Sequence, residues 1–330
     1  MKKVQIFFNE VEHKYTDDEG NIYTSVTQII GEVTPKYDVE FWAMYRALDQ
    51  VGYKLVPDLL NRKITVDGVV CGIPELYCGL YKTIKTPKEI RAEWQAVTKR
   101  SIDRGNKTHN YMEDCVNAFY NKTSSTSGND FQISDVDKTT FRYKIVDVFQ
   151  LANSPLQFSH KAVYDTLVKI VNSGYTIFAE KRVYSYDHKI SGTIDILAVK
   201  GKDFWILDWK TNKDVLKFES GYYKKAWDSN RGEKVKTDKW VKTNDMFLNP
   251  LQNLSCSKGM GYALQLSLYA YICELWGLNC KGLLLYHLRE DDEMVYPPKH
   301  YMLNYLKHEV ELLMDWRLHR QNIHNSFKQN

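Results

Sequence analysis

Residues 179–211 read AEKRVYSYDHKISGTIDILAVKGKDFWILDWKT, and the period of two in this stretch decides the fold. Three runs, at about 176–186, 190–199 and 204–211, have the alternation and β-branched content of strands. Lys200-Gly-Lys-Asp203 reads as a four-residue turn, which sets Val199 opposite Phe204. Counting back along that antiparallel pair sets Asp195 opposite Asp208. With Asp187-His188 at the tip of the preceding turn, Glu180 faces Asp195. The meander therefore aligns three carboxylates across adjacent strands.

Side chains alternate along a strand, so Asp208 and Lys210 share a face and Trp209 points away. Like charges directly opposite on a sheet cost a few tenths to about 1 kcal/mol each. A row of acids among Ile194, Ile196, Ile206 and Leu207 needs a compensating charge, and carboxylate oxygens suit Mg²⁺ or Mn²⁺. A solvent-facing polar stripe accounts for any one of these acids. It accounts poorly for the whole pattern with a lysine at D-x-K spacing.

Outward from this segment the chain is mixed. Residues 1–30 read as a small β unit with a turn at Asp17-Asp-Glu-Gly20, then a helix capped by Ser25. Tyr37 to Val51 has helical apolar spacing. Residues 52–86 read as irregular, with a hairpin at Val66-Asp-Gly-Val69. Thr86-Pro87 opens a long helix expected to reach Tyr120, with Gly105 interrupting it. Asn121 to Asp130 is a loop by composition, and Phe141 to Val171 predicts one or two helices. A charged, aromatic insert at 214–250 precedes a helix at 262–276, a buried strand at 282–288 and a final helix at 302–320.

Composition excludes several classes. The 330 residues carry 45 basic and 41 acidic side chains, a net of +4, far from a histone-like or arm-like nucleic-acid binder. Nucleic-acid contact must then come from local patches. One is Asp214 to Thr243, with eight Lys or Arg against five acids and with Phe218, Tyr222, Tyr223, Trp227 and Trp240 interleaved. Tyr222, Tyr223, Lys224, Lys225 and Trp227 suit gripping a strand by its phosphates and base faces, or else fold back as a loop on the body. Lys99, Arg100, Arg104 and Lys107 form a second patch or a solvated helix face. No run of about 18–20 apolar residues suggests a membrane span, and the opening residues lack the pattern of a leader. The expectation is a cytoplasmic protein, in a host cytoplasm if phage-encoded. Six scattered cysteines without C-x-x-C pairs predict reduced thiols and no structural zinc.

The order Glu180, Gly192-Thr-Ile-Asp195, Asp208-Trp-Lys210, Gln265-Leu-Ser-Leu-Tyr269 resembles the PD-(D/E)xK nuclease superfamily, specifically its RecB-type exonuclease branch. Arg104-Gly-Asn-Lys-Thr-His109 resembles that branch's helix histidine, and Phe8 to Tyr15 followed by Ser25-Val-Thr resembles the opening of phage-encoded members. The likeness is specific at 180–211 and patchy elsewhere. It implies an α/β restriction-endonuclease-like core, a central mixed sheet flanked by helices. Asp195 and Asp208 would bind the catalytic Mg²⁺ or Mn²⁺ with the Trp209 carbonyl, and Glu180 and His109 would complete a first or second metal site. Lys210 would orient or deprotonate water, or stabilise charge on the phosphate. Gln265 and Tyr269, one helical turn apart, would anchor the site or the DNA backbone. Some RecB-type nucleases hold an iron–sulfur cluster on four cysteines; Cys256, Cys273 and Cys280 do not fit that pattern, so no cluster is expected.

The expected organisation is a mainly helical N-terminal extension with a β-hairpin at 1–86, then a nuclease core at 87–330. The expected activity is a metal-dependent deoxyribonuclease acting on single strands or duplex ends, most simply an exonuclease in replication, recombination or packaging. An endonuclease on the same core, or a silent DNA-binding or virion-associated protein, are the rival readings.

Overall fold

The computed structural model describes residues 4–9, 12, 14–77, 83–119, 146–230, 233–289 and 296–328. The chain divides into two units, one of 1–35, 105–221 and 242–330, the other of 36–104 and 222–241. Among the described residues of the first unit, eight strands form one mixed sheet. Across it run β1 (Ile6–Asn9), β2 (Lys14–Asp17), β3 (Ile22–Ser25), β8 (Ile190–Lys200), β9 (Asp203–Lys210), β12 (Asn279–His287) and β13 (Lys299–Leu303), while β7 (Thr176–Ser185) pairs with β8. The predicted meander is present, and Val199 pairs with Phe204 as the turn length required.

The two faces of the sheet are covered by different helices. On one, α1 (Val26–Glu32), α8 (Lys258–Leu275) and α9 (Lys307–Lys328) bury Ile29, Leu266, Ile272 and Leu313 against Ile194, Leu197, Ile206 and Leu283. On the other, the end of α4 (Pro87–Asn117) joins α5 (Val148–Ala152), α6 (Leu156–Ser159) and α7 (Lys161–Asn172). These pack Met112, Val116, Leu156 and Leu167 on Ile177, Ile196, Leu207 and Trp209. Strand β12 lies parallel to β9, with His287 opposite Lys210. It is buried on both faces, as its apolar run at 282–288 predicts.

The N-terminal expectation needs correction. Residues 1–86 hold six strands among the described residues, not a mainly helical extension. Strands β1 to β3 belong to the main sheet, because Val4, Ile6, Tyr15 and Tyr23 bury against Tyr184 of β7 and β3 pairs in parallel with the start of β8. The Ser25 cap is as expected: its hydroxyl accepts the Gln28 N–H, and Gln28 reaches back to the Ser25 N–H.

In the second unit, α2 (Val39–Asp49) and α3 (Ile73–Tyr77) pack on a small sheet of β4 (Leu55–Asp58), β5 (Lys63–Val66) and β6 (Val69–Gly72). The stretch expected to be irregular is thus ordered by its β-branched residues. Its predicted Asp67-Gly68 turn has φ +48° and +91°, the left-handed pair that a two-residue hairpin requires. The insert forms a hairpin of β10 (Gly221–Asp228) and β11 (Glu233–Lys242). Helix α4 runs unbroken through Gly105, contrary to expectation. The loop at 121–130 lies outside the described residues.

Candidate metal centre

Strand β8 is paired along one edge by β7 from Ile190 to Val199, except at Glu180 and Asp195, which drop out of the ladder. Its other edge is shared: β3 pairs with Ile190 and Ser191, and β9 pairs from Ile196 onward. Gly192-Thr-Ile-Asp195 falls in the gap between them. Asp195 spans the opening, its Oδ2 accepting the Trp209 N–H at 2.9 Å. The sheet splays at the position where the sequence aligns its acids.

The strand geometry is also irregular there. Ile194 packs on the α8 side and Ile196, two residues on, packs on the α4 side, so facial alternation slips at Asp195. On β7 the same slip separates Ala179 from Val183, and Glu180 sits at φ +44°. A left-handed non-glycine residue costs about 1–3 kcal/mol. The slip turns both acids toward α4. His109 Nδ1 lies 3.4 Å from Asp195 Oδ1 and 3.6 Å from Glu180 Oε1. One donor atom from each of these three residues lies within 4.8 Å of the others.

Asp208 and Lys210 take the other side of the opening. Lys210 Nζ meets Asp208 Oδ2 at 2.8 Å and Oδ1 at 3.0 Å. Asp208 is 2% and Asp195 6% exposed. The expected row of three carboxylates is therefore divided: Asp208 is held by the lysine, while Glu180 and Asp195 gather around His109. Trp209 supplies its backbone N–H to Asp195, and its buried indole lies edge-on to the His109 ring, with centroids 6.2 Å apart.

Burial lowers the basicity of the His109 imidazole, but the Asp195 carboxylate and then Glu180 outweigh it and hold the group up at about 10. Burial, assisted by Asp195, raises Glu180 to about 7 against the pull of His109. Burial and the neighbouring Asp195 likewise raise Asp208 to about 6 despite Lys210. Burial also disfavours the Asp195 anion, yet His109, Lys210 and the Trp209 N–H hold its carboxyl below the usual range. The Lys210 ammonium, penalised by burial, is favoured more strongly by Asp208 and Asp195, so its pKa is raised.

A divalent cation fits this donor set. Glu180 Oε1 is buried with no hydrogen-bond partner, 3.6 Å from His109 Nδ1, which leaves a carboxylate oxygen beside the imidazole for a cation. The imidazole and two carboxylates would supply one nitrogen and several oxygens, the chemistry of Mg²⁺ and still more of Mn²⁺.

The helix behind the opening explains two further motifs. A Cβ on Gly192 would come 2.5 Å from Tyr269 Cε1, so the glycine of G-x-x-D makes room for the tyrosine of Q-x-x-x-Y. Tyr269 is buried and accepts from Gln265 Nε2 at 3.1 Å. It lines the floor of the site and does not present itself to substrate. Sequence reasoning missed Tyr262, whose ring centroid lies 5.1 Å from Lys210 Nζ and whose hydroxyl donates to Asn212 Oδ1 at 2.7 Å. The signal was available, since Tyr262, Gln265 and Tyr269 follow i, i+3, i+7 spacing on one helix. It also missed buried His287, whose Nε2 donates to the Asn212 carbonyl at 2.8 Å.

Lys107 is exposed on α4, two residues before His109. Arg104 belongs to the second unit, as do Tyr222, Tyr223, Lys224, Lys225 and Trp227 on β10. On that hairpin Tyr223 meets Trp240 edge-on at 4.9 Å and lies under the Lys236 ammonium at 4.1 Å. Tyr222 and Trp227 are 56% and 66% exposed. Cys71, Cys115, Cys256, Cys273 and Cys280 are free thiols; Cys78 lies outside the described residues. Among the described residues no helix is long and apolar enough to cross a membrane. Comparisons with protein-family models, curated proteins and solved structures return no match to this chain.

Proposed function

We propose that this chain is a divalent-metal-dependent deoxyribonuclease built on a restriction-endonuclease-like core, acting on single strands or DNA ends. The carrying observation is the convergence of His109, Glu180 and Asp195 donor atoms within 4.8 Å, at a sheet opening whose far side holds the Asp208–Lys210 pair. His109, Glu180 and Asp195 hold one Mg²⁺ or Mn²⁺, with Asp208 completing the anionic wall. When bound, such a cation acts as a Lewis acid on a phosphoryl oxygen. Asp195 is oriented by the Trp209 N–H, so one of its oxygens stays directed at the opening. Lys210 keeps its proton beside Asp208 and sets a positive charge where the phosphate gains negative charge. Tyr262, Asn212 and His287 hold the strand end that carries this lysine.

The test is degradation of linear duplex, closed circular duplex and single-stranded DNA by the purified chain. Loss of products in EDTA, with recovery on adding Mg²⁺ or Mn²⁺, is expected. A preparation that binds Mn²⁺ but cuts none of these substrates would leave the silent DNA-binding reading. Cutting of closed circles as fast as linear molecules would instead select the endonuclease reading.

A further inference from the structure

A second feature of the same unit is unused by the chemistry above. A cavity of about 480 Å³ is walled by Thr108, Phe158, Lys161, Asp165, Arg289 and Tyr296, among others. It adjoins the metal centre through two backbone links and one side-chain hydrogen bond. Thr108 immediately precedes His109 on α4. The Leu288 N–H, also on the cavity wall, donates to the Lys210 carbonyl at 2.9 Å. Arg289 Nε donates to the Lys213 carbonyl at 2.5 Å.

The wall combines cations with aromatic faces. The Arg289 guanidinium lies 3.7 Å from the centroid of the Tyr296 ring, and with Nε on Lys213 its plane is fixed from two sides. Lys161 is held in place by both oxygens of Asp165 at 2.8 Å. Phe158 leaves 84% of its surface exposed at this wall, so its ring face is open to a ligand. The volume falls in the range of small-ligand pockets. A flat apolar face beside anchored cations is the combination that a base and its phosphate require.

We propose that this cavity takes one nucleotide of the bound strand, its base against Phe158 and its phosphate at Arg289 and Lys161. The inference rests on the nuclease reading and adds a subsite next to the metal centre, which would fix the strand's register during cleavage. The Lys161–Asp165 pair sets the strength of the subsite, because Asp165 competes with the phosphate for the ammonium.

The probe is a fluorescently labelled single-stranded oligonucleotide, with binding to the full chain read by anisotropy in EDTA. Phe158→Ala, at an exposed position that can change without unfolding the chain, should weaken binding about tenfold, in line with the loss of one base stack. Asp165→Asn should strengthen it, and Arg289→Gln should weaken it and reduce its salt dependence. Placing a single abasic residue along the oligonucleotide should reproduce the Phe158→Ala loss at one position, and there the variant should lose nothing more. Wild-type affinity in both Phe158→Ala and Asp165→Asn, in a chain that still cleaves DNA, overturns the subsite and leaves the nuclease reading intact. A wild-type chain that neither binds nor cleaves the oligonucleotide overturns both.

Discussion

Asp195 Oδ2 accepts the Trp209 N–H at 2.9 Å, just past Ile196 and Leu207, the last pair of the β8–β9 ladder, from one residue beyond Ile196 to two beyond Leu207. The side chain thus satisfies a strand amide that the splayed neighbour cannot reach, while Oδ1 faces His109 at 3.4 Å. One carboxylate closes the sheet and opens the site. Asp195→Ala should remove both functions, costing about 1–3 kcal/mol for the unsatisfied buried amide and abolishing Mn²⁺ binding. Asp195→Asn keeps a carbonyl acceptor for Trp209, so urea unfolding should show most of the stability restored. Calorimetry should still detect no tight Mn²⁺ binding. Wild-type Mn²⁺ affinity in Asp195→Asn would show that this carboxylate is not a ligand.

The Asp208–Lys210 pair makes its own demand on substitution. Both groups are largely buried, with side-chain exposures of 2% and 16%, so truncating either leaves a charge without its partner. Lys210→Met should abolish cleavage and also destabilise the chain by about 3–5 kcal/mol. Mn²⁺ should still bind at His109, Glu180 and Asp195. The double change Asp208→Asn with Lys210→Met removes both charges, so it should recover much of the lost stability and none of the activity. Cleavage by the stable double variant at a near-normal rate would falsify the role given to Lys210.

Protonation should be visible in metal binding. Glu180 is held up at about 7 and His109 at about 10, so both carry protons at pH 6, and a cation must displace them. Mn²⁺ affinity should rise from pH 6 to 8, and titrations in buffers of different ionisation enthalpy should show proton release that falls as Glu180 deprotonates unaided. The stability signs follow by linkage. Glu180 and Asp208 have folded values above their ordinary ones, so their contributions are complete below about pH 4 and are lost as pH rises through about 6 to 7. Asp195 is lowered, and its contribution is lost only in acid below the usual carboxylate range. That of His109 is complete below about pH 6.5 and is lost progressively as pH rises to about 10. Without metal, the Glu180→Gln variant should therefore gain Tm relative to wild type between pH 5 and 8. A Tm difference that stays flat across that range would contradict the raised Glu180.

Gly192 and Tyr269 supply a packing prediction. With Tyr269 Cε1 only 2.5 Å from where a Cβ would stand, Gly192→Ala must displace the ring and its bond to Gln265. Overpacking of this kind costs about 1–3 kcal/mol. Pairing it with Tyr269→Leu should relieve much of the clash, and a double-mutant cycle on urea midpoints would measure the coupling. Additive effects would mean that the two residues do not meet.

What was legible in the sequence followed from local rules. The period of two, the length of the Lys200–Asp203 turn and the Ser25 cap each act within a few residues, and they fixed β7 to β9 and the start of α1. The division of the acids was not legible. It depends on β3 and β9 sharing one edge of β8, a contact between residues 24–25 and 190–191 that no spacing announces. The partnership of Gly192 with Tyr269 was hidden for the same reason: each stood out as a motif letter, and only packing joins them. Within 52–86 only the hairpin at Val66–Val69 was legible; β4 and the three-stranded sheet were missed because short runs interrupted by Gly and Pro resemble loops until a core, here Phe41, Met44 and Leu48, gives them a face to bury.

The hairpin of β10 and β11 is the remaining element with a clear chemistry. Tyr222 and Trp227 are exposed large aromatics, and Lys224 and Lys225 are exposed beside them. Tyr223 is spent on Trp240 and Lys236 within the hairpin. The two exposed rings are therefore the ones available to stack on bases, and Tyr223 serves the hairpin's own stability. Tyr222→Ala with Trp227→Ala should lower affinity for single-stranded DNA at every salt concentration, by about 1–3 kcal/mol per lost stack. Lys224→Ala with Lys225→Ala should instead flatten the dependence of log affinity on log salt by about 1.4, or 0.7 per phosphate contact on single strands. Tyr223→Ala should lower thermal stability more than it lowers affinity. Mn²⁺ binding at His109, Glu180 and Asp195 should be unchanged in all three. If affinity is unchanged when both exposed rings are removed, the hairpin does not grip the strand, and its aromatics serve another surface.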